Sequence, residues 1–170
     1  SQCELATQKA ILYAKNRKQG KSNIKNPEGF IIDHADVRRN LLIMKSVTSA
    51  VRALCLDTAL SLDLSRSTDK NIKEFHALRA AFLIPVAKAF STEMGCELAD
   101  IAIQVHGGMG YIEETGIAQI YRDVRVTAIY EGTNGIQAMD LVGRKLLDEG
   151  KIAFKILDEI NQTVTQGMSL

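Results

Sequence analysis

The chain has 170 residues, enough for one domain with its own core, and its hydrophobic fraction of 46% and charged fraction of 24% are typical of a globular protein. A formal net charge of +1 argues against a nucleic-acid partner, because nucleic-acid binders carry a basic excess. No apolar run reaches about 18 residues, so no membrane span is expected. Three widely spaced cysteines and three dispersed histidines predict no metal site, and the odd cysteine count favours a reducing compartment over secretion.

The first predicted element is a helix over residues 2–17. Its apolar stripe consists of Leu5, Ala6, Ala10, Ile11 and Ala14. Nothing precedes this helix that would set up a fold, so we expect the chain to be a piece of a longer protein. Residues 18–26 are basic and polar, and Pro27 and Gly29 follow. This composition predicts a solvated loop, with a phosphate-binding patch as the alternative.

Two long helices follow in the prediction. Residues 36–64 carry apolar side chains at alternating steps of three and four, and a second such seam runs from Leu78 to His106 after a polar break at residues 65–70. Pro85 lies inside the second seam and should kink or break it. The two helices form an antiparallel hairpin, which the first helix and one after Thr133 complete as an up-down-up-down four-helix bundle.

The predicted fold is therefore all-α. No useful period-2 alternation occurs, so we expect almost no strand. A short amphipathic stretch covers residues 113–126, and a short C-terminal helix is predicted over residues 152–164, where isoleucine or valine recurs every four residues.

Glycines cluster where the second long helix should end, in the stretch Gly-Gly-Met-Gly-Tyr at residues 107–111. One interpretation is a helix C-cap and turn, which glycine commonly forms. The other is a backbone platform for a cofactor, because bare glycine lets another molecule approach closely. No Lys-Ser/Thr pair follows, which excludes a phosphate loop of the Walker type.

A single carboxylate stands out in the stretch Ile-Tyr-Glu-Gly-Thr-Asn at residues 129–134. Glu131 lies at a tight turn, and Thr133 and Asn134 are both good N-caps for the next helix. Beside its two apolar neighbours the carboxylate is expected to lose hydration and to become a stronger base. The alternative is an ordinary surface glutamate at the end of a loop.

Three blocks together resemble the C-terminal domain of the acyl-CoA dehydrogenase family. They are Gln-Val-His-Gly-Gly-Met-Gly-Tyr at 104–111, Tyr-Arg-Asp-Val-Arg at 121–125, and the stretch at 129–134. The resemblance covers residues 2–147, and residues 134–145 resemble the branch that includes 3-methylmercaptopropionyl-CoA dehydrogenase. It implies a helical bundle over residues 1–148 and the start of a C-terminal extension over 149–170. The family's N-terminal helical domain and middle β domain are absent here.

The resemblance also implies a reaction. Glu131 matches the family's catalytic base, which would remove the α-proton of an acyl-CoA thioester while a hydride leaves the β-carbon for N5 of FAD, giving a trans-2-enoyl-CoA. The Glu131 N–H would polarise the thioester carbonyl. Tyr130 and Gly132 would complete the substrate contacts. The isolated chain is expected to bind FAD weakly and to lack turnover.

Cofactor contacts are implied for a second set of positions. The residues that match FAD-binding positions of the family are Arg17, Gln104, Gly107, Gly108, Thr133 and Asn134. Arg17 would bind the pyrophosphate, whereas the segment from Gln104 to Gly108 would contact the FAD of a neighbouring subunit.

The family further implies a homo-oligomer, an electron-transfer flavoprotein as acceptor, and a location in the bacterial cytoplasm or, in a eukaryote, the mitochondrial matrix. The alternative function is a non-catalytic helical bundle that assembles subunits or binds a partner, because long apolar seams fit that role equally well.

Overall fold

The computed structural model of the chain describes residues 1–21, 29–147 and 149–167, so most of the basic segment at 18–26 lies outside the described residues. The α-helices of the described part are α1 (Gln2–Asn16), α2 (Ala35–Leu64), α3 (Lys70–His106), α4 (Gly108–Tyr111), α5 (Ile117–Arg125), α6 (Asn134–Asp140) and α7 (Lys151–Gly167). The described residues contain no β-strand, and Lys18 and Phe30 form only an isolated bridge. The all-α prediction is confirmed.

The chain divides into two compact units. The first comprises Ser1–Ala53 and Phe90–Tyr130, and the second comprises Leu54–Ala89 and Glu131–Leu170. The long helices α2 and α3 therefore each contribute one segment to each unit.

Small side chains line the buried side of α1 in the first unit. Ala6, Ala10 and Ala14 are all 0% exposed, and a spacing of four places them on one helix face, where a short side chain lets a neighbouring helix approach closely. The larger buried side chains of this unit's core are Ile31, Leu41, Met44, Leu98, Val105, Ile117, Ile120 and Val124. The predicted stripe of α1 is confirmed at these alanines, whereas Leu5 is 46% exposed.

Proline does not interrupt α3. The helix continues through Pro85 from Lys70 to His106, so the break that the sequence allowed does not occur. A proline removes one backbone hydrogen bond of the helix. Pro85 itself is buried, as are Leu83 and Ala87 on either side, so packing holds the segment in place despite that loss.

In the second unit, α7 packs through a small apolar cluster. Ile152 and Ile156 are buried with Leu83, and Leu54, Phe75 and Phe82 pack against them. The helix extends to Gly167, three residues beyond the predicted end at residue 164. Helix α6 ends at Asp140 and is followed directly by one π-helical turn, Leu141–Lys145.

Candidate active site

The turn before α6 presents an exposed carboxylate on a left-handed backbone. Glu131 has a φ of 55°, which is uncommon for a residue other than glycine, and Gly132 follows with a φ of 85°. The Gln137 Nε2 atom donates a hydrogen bond to the Glu131 carbonyl oxygen at 3.1 Å. Backbone conformations of this kind persist where the surrounding structure over-determines them, and they cluster at functional sites.

Thr133 is the N-cap of α6, and it was one of the two predicted candidates for that position. Its Oγ1 atom accepts a hydrogen bond from the Ile136 N–H at 3.4 Å, and its carbonyl accepts one from the Gln137 N–H at 3.0 Å. The side chain thus satisfies one of the backbone donors that a helix N-terminus leaves unpaired. This cap fixes where the helix begins, directly after the left-handed turn.

Lys88 of α3 binds the same turn from the side. Its Nζ atom donates to the Gly132 carbonyl at 2.8 Å and to Asn134 Oδ1 at 2.9 Å. The Asn134 Nδ2 atom in turn donates to the Ala89 carbonyl at 3.4 Å. One ammonium group therefore connects α3 to both residues that flank Thr133.

Sequence reasoning missed Lys88, although a signal was present. Lys88 is the one charged residue between Arg79 and Glu93 in an otherwise apolar and small-residue stretch of the chain. A lone lysine in such a stretch needs acceptors when it is half-buried, because an ammonium group that is removed from water without partners is costly.

The expected loss of hydration at Glu131 does not occur within this chain. Glu131 is exposed, and both Ile129 and Tyr130 are 51% exposed. That prediction was wrong because two apolar neighbours on the same turn project into solvent themselves and cover nothing. Any dehydration of this carboxylate must come from groups other than those described here.

A second group of predicted residues lines a cavity of the first unit. Arg17, Gln104 and Gly107 lie along a cavity of about 350 Å³. Arg17 terminates α1 with an extended backbone, and its carbonyl accepts from the Ile31 N–H at 2.9 Å. Within the described residues the exposed Arg17 guanidinium forms no ion pair, so its charge is available to an anion.

The two glycines at the end of α3 differ in their backbone but share an open face. Gly107 has φ 59° and ψ −141°, a conformation essentially restricted to glycine, whereas Gly108 begins α4. A Cβ atom built on either residue would meet nothing within 4 Å. Packing against the described residues therefore does not explain Gly108. Gly110 is different, because a Cβ there would lie 2.5 Å from the Ile103 carbonyl oxygen.

His106 forms part of the cavity wall. Its Nδ1–H donates to the Ala102 carbonyl at 2.7 Å, and its ring stacks on Tyr13 with centroids 4.3 Å apart. Burial lowers the pKa of His106, the hydrogen bond to Ala102 opposes that shift, and the charge of Lys9 adds to it. The imidazole is therefore a neutral, stacked wall of the cavity near neutral pH.

The predicted site residues thus fall into two groups. Arg17, Gln104 and Gly107 share the cavity of the first unit, next to Gly108, and the turn at residues 131–134 belongs to the second unit. Tyr130 is the last residue of the first unit's second segment. In the described part of the chain, no group of three or more His, Cys, Asp or Glu residues could hold a metal ion. No described helix is long and apolar enough to cross a membrane.

Comparison with known proteins identifies relatives over most of the chain. It is 44% identical over 163 residues to 3-methylmercaptopropionyl-CoA dehydrogenase of Ruegeria pomeroyi, covering 94% of this chain and 28% of the relative. It is 38% identical over 160 residues to a butyryl-CoA dehydrogenase of Syntrophomonas wolfei, covering 91% of this chain and 26% of the relative.

A crystal structure of an acyl-CoA dehydrogenase from Geobacillus kaustophilus superposes with a TM-score of 0.64 at 27% identity, over 84% of this chain and 33% of that one. The chain therefore spans about a quarter to a third of the length of these relatives. The family model described as "Acyl-CoA dehydrogenase, C-terminal domain" matches residues 1–147. The chain belongs to the acyl-CoA dehydrogenase family and contains its C-terminal domain.

Proposed function

We propose that the chain is the C-terminal domain of an FAD-dependent acyl-CoA dehydrogenase in which Glu131 removes the α-proton of an acyl-CoA thioester. The two curated relatives described above are both named as dehydrogenases of acyl-CoA thioesters. The proposal covers the whole protein, of which the relatives' lengths suggest that this chain is a part.

The turn at Glu131 carries this proposal. A glutamate with a φ of 55° would relax if nothing held it, yet Gln137 donates a hydrogen bond to the carbonyl of Glu131 itself and Lys88 donates one to the carbonyl of Gly132. Contacts of that kind hold a functional carboxylate in one direction, whereas a solvated surface glutamate does not need them.

Removal of the α-proton from a thioester requires a base and a hydrogen-bond donor at this turn. The α-hydrogen of a thioester is a weak acid, and it becomes removable when a donor stabilises the negative charge that develops on the carbonyl oxygen. Within the described residues the Glu131 N–H has no acceptor, so it can donate to the thioester carbonyl. The Glu131 carboxylate then takes the proton, and the missing walls of the site would supply the dehydration that this chain lacks.

The residues at the cavity fit a dinucleotide. Arg17 supplies a cation that forms no ion pair with the described residues and could meet a pyrophosphate, and the open faces of Gly107 and Gly108 leave the backbone accessible to a flat ligand. Gln104 adds an exposed carboxamide. Bound FAD would supply the acceptor for the hydride that leaves the β-carbon. We therefore assign Arg17, Gln104, Gly107 and Gly108 to holding FAD.

The turn itself contributes less to the cofactor than its sequence suggested. Thr133 Oγ1 caps α6, and the Asn134 carboxamide is engaged by Lys88 and the Ala89 carbonyl. These contacts favour a structural use of the Asn134 side chain. Thr133 remains a candidate for a contact to FAD through its exposed side chain, and Tyr130 and Gly132 remain candidates for contact with the substrate.

Further features of the whole protein follow from the family. We propose that the protein assembles as a homo-oligomer in which the segment from Gln104 to Gly108 contacts a neighbouring subunit's FAD, and that an electron-transfer flavoprotein accepts the electrons. The odd number and wide spacing of the three cysteines support a reducing location, in the bacterial cytoplasm or, in a eukaryote, the mitochondrial matrix. Helix α7 lies beyond the residues matched by the family model. It would belong to a C-terminal extension that starts at residue 149.

The test uses the full-length protein that carries this chain, loaded with FAD and mixed anaerobically with a panel of acyl-CoA thioesters. We expect rapid bleaching of the flavin absorbance by at least one thioester. Glu131→Gln should retain FAD and should bleach about 10²–10⁴-fold more slowly, the contribution that loss of a general base removes.

Glu149→Gln is the matched control. Glu149 is the other described non-glycine residue with a positive φ, it is exposed, and glycine also follows it. It should bleach within about twofold of the wild type, as expected for a surface substitution away from the chemistry. Bleaching by Glu131→Gln at the wild-type rate would remove Glu131 from the role of base. Absence of FAD and of any response to thioesters in the wild type would leave the helical bundle as a scaffold.

A further inference from the structure

We propose that Lys88 is a positioning residue for the base: its ammonium group fixes the backbone that follows Glu131 and thereby the direction of the Glu131 carboxylate. The inference rests on the proposed function of Glu131. Lys88 lies on α3 and carries no reacting atom. Its side chain should nevertheless affect the rate at which Glu131 removes the proton.

Lys88 and Gln137 each bind one of two consecutive peptide groups of the turn. The Gln137 side chain holds the carbonyl of Glu131 at 3.1 Å, and the Lys88 ammonium holds the carbonyl of Gly132 at 2.8 Å. The first bond fixes the ψ angle of Glu131, and the second fixes the glycine that comes next. Together they hold the two peptide groups that follow the Cα atom of Glu131, the atom from which its side chain projects.

Gly132 makes the second of these bonds necessary. Glycine populates many backbone conformations with similar free energy, so a turn that contains Gly132 does not stay left-handed by itself. Glu131, with a φ of 55°, would regain a common backbone conformation if the turn were released. The Lys88 hydrogen bond to the Gly132 carbonyl prevents that release.

The link to Asn134 extends the same control to the start of α6. Lys88 donates to Asn134 Oδ1 at 2.9 Å, and Asn134 donates to the Ala89 carbonyl at 3.4 Å. The first residue of α6 is therefore connected to α3 at two successive positions. Because charged donors form stronger hydrogen bonds than neutral ones, an ammonium group suits this bridge between two acceptors.

The experiment separates proton removal from hydride transfer in the full-length, FAD-loaded enzyme. The probe is (methylthio)acetyl-CoA, in which sulfur replaces the β-carbon, so that the α-proton can leave but no α,β double bond can form. Uptake of deuterium from D₂O at the α-carbon, measured by mass spectrometry, reports the base alone. Flavin bleaching by an oxidisable acyl-CoA, measured in parallel, reports the complete reductive step.

For Lys88→Met we expect both rates to fall at least about tenfold, because a displacement of about 1 Å at a reacting group can cost up to about 10²-fold. FAD content and the dissociation constant of the probe should stay within about threefold of wild type, as they would when only transition-state stabilisation is lost. Lys73→Met is the control, since Lys73 is an exposed lysine of the same helix, and it should leave both rates unchanged. Lys88→Gln, which keeps one donor, should recover part of the lost rate, and it carries the test if Lys88→Met fails to retain FAD.

The outcomes distinguish the two proposals. If Glu131→Gln abolishes exchange while the Lys88 variants exchange deuterium within about threefold of wild type, the positioning role is overturned and the role of Glu131 stands. If FAD or probe binding falls in proportion to the rates, Lys88 is structural and the inference is also overturned. If Glu131→Gln exchanges at the wild-type rate, the proposed base is wrong and the role of Lys88 fails with it.

Discussion

Two turns of the second unit share a dipeptide and a backbone conformation, and they differ in what holds them. Glu131 and Glu149 have φ angles of 55° and 63°, and a glycine with positive φ follows each. Both glutamates are exposed. The two turns are therefore alike in their Glu-Gly dipeptide and in the positive φ of both residues.

Their surroundings separate them. The turn at Glu131 receives side-chain hydrogen bonds from Lys88 and Gln137. At the second turn, the Gly150 carbonyl accepts the Phe154 N–H at 2.9 Å as α7 begins, and the Glu149 carboxylate forms an exposed ion pair with Lys151 at 3.6 Å. An exposed pair of this kind contributes little stability. The second turn therefore only connects two helical segments. The first turn is held by side chains of α3 and α6, and the long-range contact from Lys88 distinguishes the candidate site.

The largest contrast should come from placing alanine after each glutamate. In Gly132→Ala the new Cβ would lie 3.2 Å from Gln137 Nε2, and in Gly150→Ala it would lie 3.4 Å from the Phe154 ring. Each change strains a positive φ by about 1–2 kcal/mol. Flavin bleaching in the full-length enzyme should slow about 100-fold for Gly132→Ala, because the group that holds Glu131 is displaced, and should hardly change for Gly150→Ala. Equal rates for the two variants would erase the distinction between the turns.

Next in size is the packing of the helix that follows the second turn. Ile156 is 9% exposed in the cluster with Leu83 and Ile152, so Ile156→Ala should cost about 2 kcal/mol and speed amide hydrogen exchange in α7 about 30-fold. Ile160→Ala is the control, because Ile160 is 53% exposed on the same helix. The bleaching rate should not change in either variant. A slower reductive step in Ile156→Ala would give α7 a part in catalysis.

A smaller effect is expected from the ion pairs of Arg79. This side chain is 12% exposed and contacts Asp57 at 2.9 Å and Glu159 of α7 at 2.5 Å. Because both carboxylates are partly exposed, Arg79→Met should cost about 1 kcal/mol and speed exchange in α7 about fivefold. Arg66→Met, at an exposed arginine between α2 and α3, controls for the change in net charge. Unchanged protection of α7 would show that the apolar cluster holds it alone.

The smallest predicted effect is stabilising. Asparagine tolerates the left-handed region better than glutamate, so Glu149→Asn should gain about 0.5 kcal/mol and slow exchange in the first turn of α7 about twofold. Activity should be retained. Glu131→Asn offers the same backbone relief and should nevertheless abolish bleaching, since its side chain cannot accept the proton. Loss of protection in Glu149→Asn would mean that the Lys151 ion pair outweighs the backbone strain.

Much of the fold was accessible from periodicity. The seams at steps of three and four predicted α2 and α3 because each helix buries residues on one face, such as Leu41 and Met44 of α2, although Leu78 at the start of the second seam is 56% exposed. Thr133 was one of two candidate caps, with Asn134, that local chemistry offered. Pro85 could not be decided in this way, because the outcome depends on how well the neighbouring side chains pack.

The candidate site was predictable only in part. The carboxylate and the glycines stand together in short stretches, so their motifs were visible in the sequence. Lys88 lies 44 residues from Gly132, and a side-chain contact to a backbone carbonyl leaves no local pattern at either end. The solvation of Glu131 was mispredicted for a related reason. Hydration depends on which residues pack over the turn in the folded protein, and the adjacent residues in the sequence do not specify these.

Gly108 has a practical consequence for anyone who engineers this domain. It occupies the first position of α4, and a methyl group there would have no neighbour within 4 Å in the described part of the chain. Alanine favours helices over glycine by about 1 kcal/mol, so a screen for heat resistance on the separate domain would select Gly108→Ala as an improvement. The same methyl group would stand where we place the nucleotide, and the selected variant would gain melting temperature while losing its flavin.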